Sequence, residues 1–585
     1  MSARPGPGRG HPLLVADVVS VITALVVLGP ALAPGQVLLR DMVFVPHPAL
    51  SPRLLGLTGE TPRAVPSDLV VALAGQVLPG GWVQKLVLVG TLVAVGMGTA
   101  RLVPSGAAAR ATAAVASIWN PFVAERLAMG HWALLVGYAA CPWVVRLLAH
   151  RLAHGGRWIG LWVALVLGSL GGASAQLLVG LCVTGVLVTG LWTRWRHRWA
   201  VVGRGGLPVL LFLACGVVWL APSLLGPGIA SDPRGFDVFA ARADLRGGLL
   251  ASVVTGGGIW NADAAAPGRG SAVVMVASLT LLAVSLGAWI LALIGRSGPR
   301  WSEEEALARG GLLLAGAAGL TLTLLVLIPG VVQVLSGMPG GGLLRDSTRQ
   351  LGPWVILVAV GLGWAAHSAR RLPVVPNAAP LLPVVTLPLV AWGQMGVLSA
   401  VTLPPSFDSV VRAVEHEAAG HAGQPVAVVL PWSPNRSYPW NGGRTSLTPW
   451  SRLLGTPVVE SSDLTVVDGV RSITVRGEDR YAAEVGRVLN GQAEVGQLRR
   501  LGVSFVIVDS ASAQAPSGSE PVLVTSDVSL HRIPGVANER TLPSAAARGW
   551  ILLADGAGLL LVLLLGALAL TPRGQEDSEA EIQHR

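Results

Sequence analysis

Long apolar runs, separated by short segments rich in arginine, are the feature that most constrains how this chain folds. A helix needs about 20 mostly apolar residues to cross a bilayer, and such runs recur along most of the sequence. Only 13% of the 585 residues are charged, whereas about 25% is usual in soluble domains. The sequence therefore predicts an all-α polytopic membrane protein.

Twelve runs are candidate spans, the first of which we interpret as a retained helix and not as a signal peptide. Counting the short run at 107–120 as a crossing places the arginine clusters on one side, which the positive-inside rule identifies as the cytoplasm. We therefore predict about 12 transmembrane helices in the plasma membrane, with both termini cytoplasmic. The candidate spans lie near residues 13–33, 84–103, 107–120, 130–146, 158–175, 177–193, 205–224, 271–295, 309–330, 353–368, 374–395 and 549–571.

This orientation predicts a multi-span transmembrane domain over residues 1–395, with outer loops at 34–83, 223–270 and 331–352. Residues 396–548 differ, because short strand patterns alternate there with a helical pattern near 479–501. We predict a small extracytoplasmic α/β domain in this segment. Residues 549–585 then form the final transmembrane helix and a cytoplasmic tail.

The net charge of +10 comes almost entirely from arginines scattered between apolar runs, which is typical of membrane loops and argues against a nucleic-acid partner. The three cysteines all fall within apolar runs, so no disulfide framework is indicated. His416 and His421 in HEAAGH are five residues apart and diverge by about 140° on a helix, unlike a zinc-protease pair. No residues are assigned to a metal.

Asp41 follows the first predicted helix and is the first candidate for chemistry. In LLRDMVFVPHPAL (38–50) it lies near the membrane surface, where an ionised carboxylate can accept a proton from a hydroxyl group. The alternative is an interfacial residue paired with Arg40, since ionisable residues at the membrane edge cost far less than central ones.

The stretch SIWNPFVAERLAMGHWALL (117–135) places a helix breaker and two charged residues between predicted spans. The residue before a proline is disfavoured in the α region, so the third helix is expected to end near Asn120. Glu125 is a candidate second carboxylate near an acceptor, and Arg126 a candidate phosphate ligand, because a guanidinium group matches phosphate geometry. The alternative is an ion pair that holds the hairpin. We interpret His131 as a solvated interface residue.

Two other outer loops contain candidates for binding an anionic head group or a sugar. LLRDSTRQL (343–351) offers Arg345, Asp346 and Arg349 beside the tenth predicted helix, although a surface ion pair explains them equally well. The loop at 223–270 contains GGGIWN, with Trp260 and Asn261 after a run of glycines that is a weak signal for phosphate binding.

The order of these parts resembles the GT-C class of membrane glycosyltransferases, and more narrowly the actinobacterial arabinofuranosyl- and mannosyltransferase-like proteins of cell-envelope assembly. The stretches that carry the resemblance are LLRDMVFVPHPAL, NPFVAERLAMGHWALLVGYAACPW (120–143), GGGIWN, LLRDSTRQL, LGVSFVIVDS (501–510) and SLHRIPG (529–535). Many members have two neighbouring acids in the first outer loop, whereas this loop has Asp41 alone, with Glu60 and Asp68 well downstream.

The resemblance implies transfer of a sugar from a polyprenyl-phosphate donor to a cell-envelope glycan or lipid acceptor on the outer face of the plasma membrane. Asp41 and Glu125 are then the expected catalytic acids. Arg40, Arg126, Arg345 and Arg349 are expected to bind the donor phosphate, and Trp260, Asn261 and Trp440 the acceptor. No cofactor is assigned, and a divalent cation is left open. The alternative function is a non-catalytic envelope protein, either a glycan or lipid translocation partner or a scaffold related to these enzymes.

Overall fold

The structure is a computed structural model of the chain. It describes residues 11–103, 106–226, 232–294, 301–338, 340–369, 379, 398–421, 424–468, 471–491, 494–510, 512–536 and 543–571. The predicted span at 374–395 lies outside the described residues except for Ala379, and so does the predicted tail beyond residue 571.

The larger part of the molecule is a bundle of apolar helices with short helices between some of them. The bundle contains α1 (His11–Leu28), α2 (Ser67–Gly75), α3 (Gly80–Ala100), α4 (Ala107–Ile118), α5 (Pro121–Met129), α6 (Trp132–His154), α7 (Ile159–Ser169), α8 (Gly172–Thr193), α9 (Arg198–Leu225), α10 (Arg234–Val238), α11 (Gly248–Val254), α12 (Ala272–Leu293), α13 (Glu303–Leu325), α14 (Pro329–Gly337) and α15 (Gly352–Ser368). A last helix, which we number α20 (Ala545–Leu570), packs against α9.

Within the described residues, nine helices are long and apolar enough to cross a membrane. The predicted crossings at 107–120 and 158–175 contain the shorter helices α4 and α7, with 12 and 11 residues. At 1.5 Å per residue these helices are only about 16–18 Å long, less than the roughly 30 Å of a bilayer core. The expected count of about 12 full spans is therefore not reproduced in the described part of the chain.

The bundle has two chemically different ends. At one end, which we call the arginine end, Arg194 and Arg204 donate to the carbonyl oxygen of Leu152, and Arg101 forms a bidentate ion pair with Asp17. The other end, which we call the Asp41 end, holds the first loop, α5 and the segments at 232–271 and 340–351. Short connections between apolar helices at the arginine end carry Arg157, Arg194 and Arg196, whereas the arginines at the Asp41 end lie mainly in longer segments such as 232–271. The side of the membrane that each end faces stays a prediction.

A strand-containing unit follows the bundle helices in the chain. Its helices are α16 (Pro405–Ala419), α17 (Trp450–Leu453), α18 (Arg480–Leu489) and α19 (Val495–Arg500). Its strands are β3 (Ala427–Leu430), β4 (Asn435–Ser437), β5 (Thr445–Leu447), β6 (Val458–Val459), β7 (Leu464–Asp468), β8 (Arg471–Val475), β9 (Phe505–Val508), β10 (Glu520–Val524) and β11 (Ser529–Arg532). The unit lies within the segment 396–548 that the sequence separates from the rest.

A five-stranded mixed sheet in the order β10-β11-β9-β3-β6 forms the centre of this unit. β3 is parallel to β6 and β9, whereas β11 is antiparallel to β9 and β10. Successive side chains of β3 point to opposite faces. Ala427 and Val429 pack with Phe407 of α16, while Val428 packs with Val485 of α18. The centre of the sheet is thus covered on both faces, which explains why β3 and β9 are continuously apolar.

The strand unit contacts the bundle through the first loop. Gln36 and Val401 exchange backbone hydrogen bonds of 2.9 Å, and the Asn441 side chain donates to the carbonyl oxygen of Leu38 at 3.1 Å. Leu38 is also buried in the same apolar cluster as Phe407. The segment around Asp41 is therefore shared between two cores: Leu38 and Val43 belong to the core of the strand unit, and Leu39 and Met42 to that of the bundle.

Candidate active site

Asp41 lies in the turn between the short strands β1 (Leu38–Leu39) and β2 (Met42–Val43). Its neighbour Arg40 has a φ of 46°, which non-glycine residues seldom adopt. The Arg40 N–H donates to Thr445 O at 2.7 Å, and its carbonyl oxygen accepts from Leu447 N at 2.9 Å. Its guanidinium group donates to Ala128 O at 2.6 Å. These contacts impose the turn, which leaves the Asp41 side chain 49% exposed.

The helix α5 supports this turn from the bundle side, and its first residues explain the Asn-Pro sequence. Asn120 is the N-cap and accepts a hydrogen bond from Val123 N at 2.9 Å. Pro121 occupies the first helical position, where no intrahelical N–H is needed. The preceding helix α4 ends at Ile118, which agrees with the predicted end near Asn120.

Gly130 ends α5 and brings the backbone directly against the Asp41 turn. Its φ is 78°, and a Cβ atom at this position would lie 2.2 Å from the backbone nitrogen of Met42. The backbone N–H of Asp41 also donates to Met129 O at 3.2 Å. Only glycine permits both the left-handed conformation and this close approach.

His131 connects Asp41 to a buried arginine. His131 Nε2 lies 3.2 Å from Asp41 Oδ2, and His131 Nδ1 lies 3.0 Å from a terminal nitrogen of Arg126. Because a guanidinium group can only donate hydrogen bonds, Nδ1 must be the accepting nitrogen. The imidazole is therefore the neutral tautomer that donates from Nε2 to Asp41. Burial and the charge of Arg349 lower the pKa of His131, in agreement with a neutral ring.

Asp346 holds two of the arginines that the sequence singles out. Arg126 is fully buried and donates to Asp346 Oδ2 at 3.1 Å and to the hydroxyl group of Thr348. Arg349 donates to the same carboxylate oxygen at 2.9 Å and keeps 31% of its side chain exposed. One Arg349 terminal nitrogen lies 3.4 Å from His131 Nε2. Of these two guanidinium groups, Arg349 is thus the one that is accessible beside Asp41.

Arg345 and Arg63 extend the positive charge around Asp41, and Glu478 of the strand unit contacts both. Arg345 lies 3.3 Å and Arg63 3.5 Å from the Glu478 carboxylate, which also accepts from the hydroxyl group of Thr61 at 3.1 Å. Burial lowers the pKa of Arg345 to about 10, so this arginine remains charged at neutral pH. We call Arg63, Arg345 and Arg349 the arginine cluster. The Glu478 carboxylate therefore connects this cluster to the strand unit.

Burial raises the pKa of Asp41, but several effects that lower it together outweigh burial. The hydrogen bond from His131 and the charges of Arg349 and Arg63 together hold the pKa of Asp41 below its ordinary value of 3.8. Asp41 is consequently an ionised, half-exposed carboxylate at neutral pH. A group in this state can accept a hydrogen bond, and then a proton, from a hydroxyl group.

Glu125 belongs to a second buried cluster. It is 1% exposed, and it lies beside Asp244, whose carboxylate pairs with the fully buried Arg269 at 2.5 and 3.1 Å. Burial and the charge of Asp244 raise the pKa of Glu125 well above its ordinary value, so Glu125 carries the proton of the pair. Consecutive residues on a helix diverge by about 100°, and α5 thus presents Arg126 to the Asp41 cluster and Glu125 to the other.

The three aromatic and amide residues predicted to bind an acceptor lie in different surroundings. Trp260 is 8% exposed and packs edge-on against Phe239 at 4.9 Å between ring centroids. Asn261 accepts a hydrogen bond from Asp263 N at 3.0 Å. Trp440 is half-buried and stacks on Tyr438 at 4.7 Å.

Sequence reasoning missed several residues of the site. His131 was interpreted as an interface residue, and Asp346 was considered only as part of the loop that carries Arg345 and Arg349. Arg63 and Glu478 were not selected, because no local pattern links them to Asp41. Among the described residues, no set of three metal-ligating side chains surrounds Asp41, and Asp346 is committed to two arginines. No step of the reaction at this site is therefore assigned to a divalent cation.

Comparisons with known proteins place the fold but not the activity. Neither protein-family profiles nor curated protein sequences give a match to this chain. A cryo-EM structure of the arabinofuranosyltransferase AftD from mycobacteria is similar, with a TM-score of 0.51 and 17% sequence identity. The similarity covers 92% of this chain and 42% of the mycobacterial protein. The resemblance to membrane glycosyltransferases is thus confirmed as a likeness of fold.

Proposed function

We propose that this chain is an integral membrane glycosyltransferase with Asp41 as its catalytic base. The observation that carries the proposal is the half-exposed, ionised Asp41 carboxylate, which lies beside an accessible guanidinium group in a fold similar to that of an arabinofuranosyltransferase. The donor is a sugar linked to polyprenyl phosphate, and the acceptor is a hydroxyl group of a cell-envelope glycan or lipid.

In this reaction the acceptor oxygen attacks the anomeric carbon while the bond from that carbon to the phosphate oxygen breaks. Asp41 takes the hydroxyl proton, and polyprenyl phosphate leaves with the electron pair. A positioned base of this kind contributes roughly 10²–10⁴-fold to the rate. His131 donates to one oxygen of Asp41 and so orients the other toward the acceptor.

Arg349 is the proposed ligand of the donor phosphate, because its guanidinium group is partly exposed and is fixed by Asp346 at 2.9 Å. Arg345 is the second candidate, once its contact with Glu478 is exchanged for the phosphate. Arg126 acts as a positioning residue through Asp346 and His131, since its side chain is fully buried. The roles of Glu125, Arg40, Trp260, Asn261 and Trp440 remain predictions.

The site is proposed to face the outer side of the plasma membrane. Support comes from Arg157, Arg194 and Arg196, which lie in short connections between apolar helices at the end of the bundle opposite to Asp41. Short loops rich in arginine favour the cytoplasmic side. The strand unit, which contacts the first loop, would then also be outside the cell.

The experiment is a transfer assay in membranes with radiolabelled polyprenyl-phosphate sugars as donors. Asp41→Asn keeps the size of the side chain but removes the base, so we expect transfer to fall by at least ~10²-fold. The matched control is Asp237→Asn, which changes an exposed carboxylate of α10. Expression and membrane insertion of both variants are checked on the same samples.

Full transfer by the Asp41→Asn variant would remove Asp41 from the mechanism. A wild-type protein that transfers none of the donors, in cells that show an envelope defect when the gene is deleted, would favour the non-catalytic alternative. The contact between Glu478 and the arginine cluster favours this alternative. The Glu478 carboxylate pairs with Arg345 and Arg63, which a donor phosphate would otherwise contact.

A further inference from the structure

His150, His154 and Glu304 meet at the arginine end of the bundle, far from Asp41. The two histidines are four residues apart on the last turns of α6, so their rings lie on one face of the helix. Glu304 is in the first turn of α13, which packs against α6. His150 Nδ1 lies 2.8 Å and His154 Nε2 3.4 Å from the same carboxylate oxygen.

Each of the three consecutive acids at the start of α13 has a different partner. Glu303 pairs with Arg194 at 2.6 Å, and Glu305 accepts from the N–H of Ser302 at 3.0 Å in a capping box. Glu304 alone faces the two imidazole rings. Because Arg194 is paired with Glu303, its charge does not compete with the histidines for the Glu304 carboxylate.

Two imidazole nitrogens and one carboxylate oxygen are a donor set that suits zinc. Zinc sites with three protein ligands and one water use this combination, with metal–nitrogen distances of about 2.0–2.1 Å. Such distances place neighbouring donors of a tetrahedral site about 3.3 Å apart. The three ligand atoms here lie within 4.8 Å of one another. Small rotations of the side chains would therefore suffice to surround an ion.

We propose that His150, His154 and Glu304 form a binding site for a divalent transition-metal ion, with Zn²⁺ the best fit. The histidines are about half exposed, with 50% and 57% of their side chains accessible, so the ion can enter from solvent and a water molecule can complete the coordination. A bound ion would join the end of α6 to the start of α13. This proposal does not depend on the transferase function.

The test uses the full-length protein in detergent, purified without a polyhistidine tag and stripped of metal with a chelator. Zn²⁺ is then added in competition with a chromophoric chelator, and bound zinc is also measured by elemental analysis. We expect one tight zinc per chain. In His150→Ala/His154→Ala, and separately in Glu304→Gln, we expect the affinity to fall at least tenfold, about the lower limit seen even for outer-shell changes.

The matched control is His416→Ala/His421→Ala, which removes the two histidines whose spacing does not suit a shared ion. This variant should bind zinc as the wild type does. A second measurement is the melting temperature, which zinc should raise in the wild type and in the control but not in the site variants. The proposal is overturned if the wild type takes up no zinc, or if the site variants bind it as tightly as the control.

Discussion

The state of Asp41 is decided by residues that are distant from it in the sequence. Arg126 fixes the tautomer of His131, and His131 then donates to Asp41 at 3.2 Å. The carboxylate therefore stays ionised although part of it is buried. Neither Arg126 nor His131 needs to touch a substrate for this effect.

The pH dependence of transfer should report the contact between His131 and Asp41. Because the pKa of Asp41 is below 3.8, we expect transfer to persist to about pH 4 and to be lost as the carboxylate becomes protonated. His131→Ala removes a donor to the ionised form, so the pKa of Asp41 should rise and the acid limb of kcat/KM should move to higher pH. His47→Ala, an exposed histidine of the same loop, is the control. An unchanged acid limb in His131→Ala would contradict this role.

Gly130 offers a test of the position of the Asp41 turn. Alanine at Gly130 or at Gly156 is strained by a similar amount, since their φ values are 78° and 77°. A Cβ atom at Gly156 meets nothing within 4 Å, whereas at Gly130 it would meet the backbone of the turn. We expect Gly130→Ala to lower kcat by about 10²-fold, as a displacement of roughly 1 Å can do, and Gly156→Ala to retain transfer. Equal effects on kcat would contradict the interpretation.

At the scale of elements, α5 and the β4–β5 hairpin together determine the site. α5 has only nine residues, yet it carries Arg126 toward the Asp41 cluster and Glu125 toward the Asp244–Arg269 pair. The β5 strand supplies the two backbone hydrogen bonds that hold Arg40 in its left-handed conformation. The site thus requires that the strand unit be docked on the first loop.

Glu478 connects the strand unit with the arginine cluster, and we expect its replacement to change donor binding. If the donor phosphate binds the arginine cluster, Glu478→Gln removes a competing carboxylate and should lower the KM for the donor several-fold, as for an ion pair of ~0.2–1 kcal/mol. The control is Glu484→Gln, since Glu484 is 52% exposed and pairs with Arg487 on α18. A raised KM in Glu478→Gln would instead show that Glu478 holds the arginines in the position that binds the donor.

At the scale of the whole molecule, the proposed function depends on which end of the bundle faces the outside. Asp41→Cys and Arg157→Cys place accessible thiols at the two ends, because both native residues are exposed. Cys141 and Cys182 are buried and Cys215 is partly buried, so labelling is compared with that of the parent protein, which carries only these three cysteines. A membrane-impermeant maleimide applied to intact cells should label Asp41→Cys directly. It should label Arg157→Cys only after the membrane is permeabilised, and the reverse pattern would refute the proposed sidedness.

The sequence by itself determined the membrane class, the arginines of the short connections between apolar helices, and the segment that forms the strand unit. These properties follow from composition and short-range periodicity, which act over about 20 residues or fewer. The end of α4 near Asn120 is likewise local, because proline restricts the residue before it. The sequence also identified Asp41, Arg345 and Arg349 as residues of interest, though not their partners.

Only the tertiary structure decided which of these residues meet. Asp41, His131, Asp346 and Glu478 are separated by as many as 437 positions (478 − 41), and no local pattern records their contacts. The divergence of Glu125 and Arg126 into separate clusters depends on which segments pack on the two sides of α5. Helical geometry fixes the angle between neighbouring side chains, but the partner that each one meets is set by the packing of the whole chain.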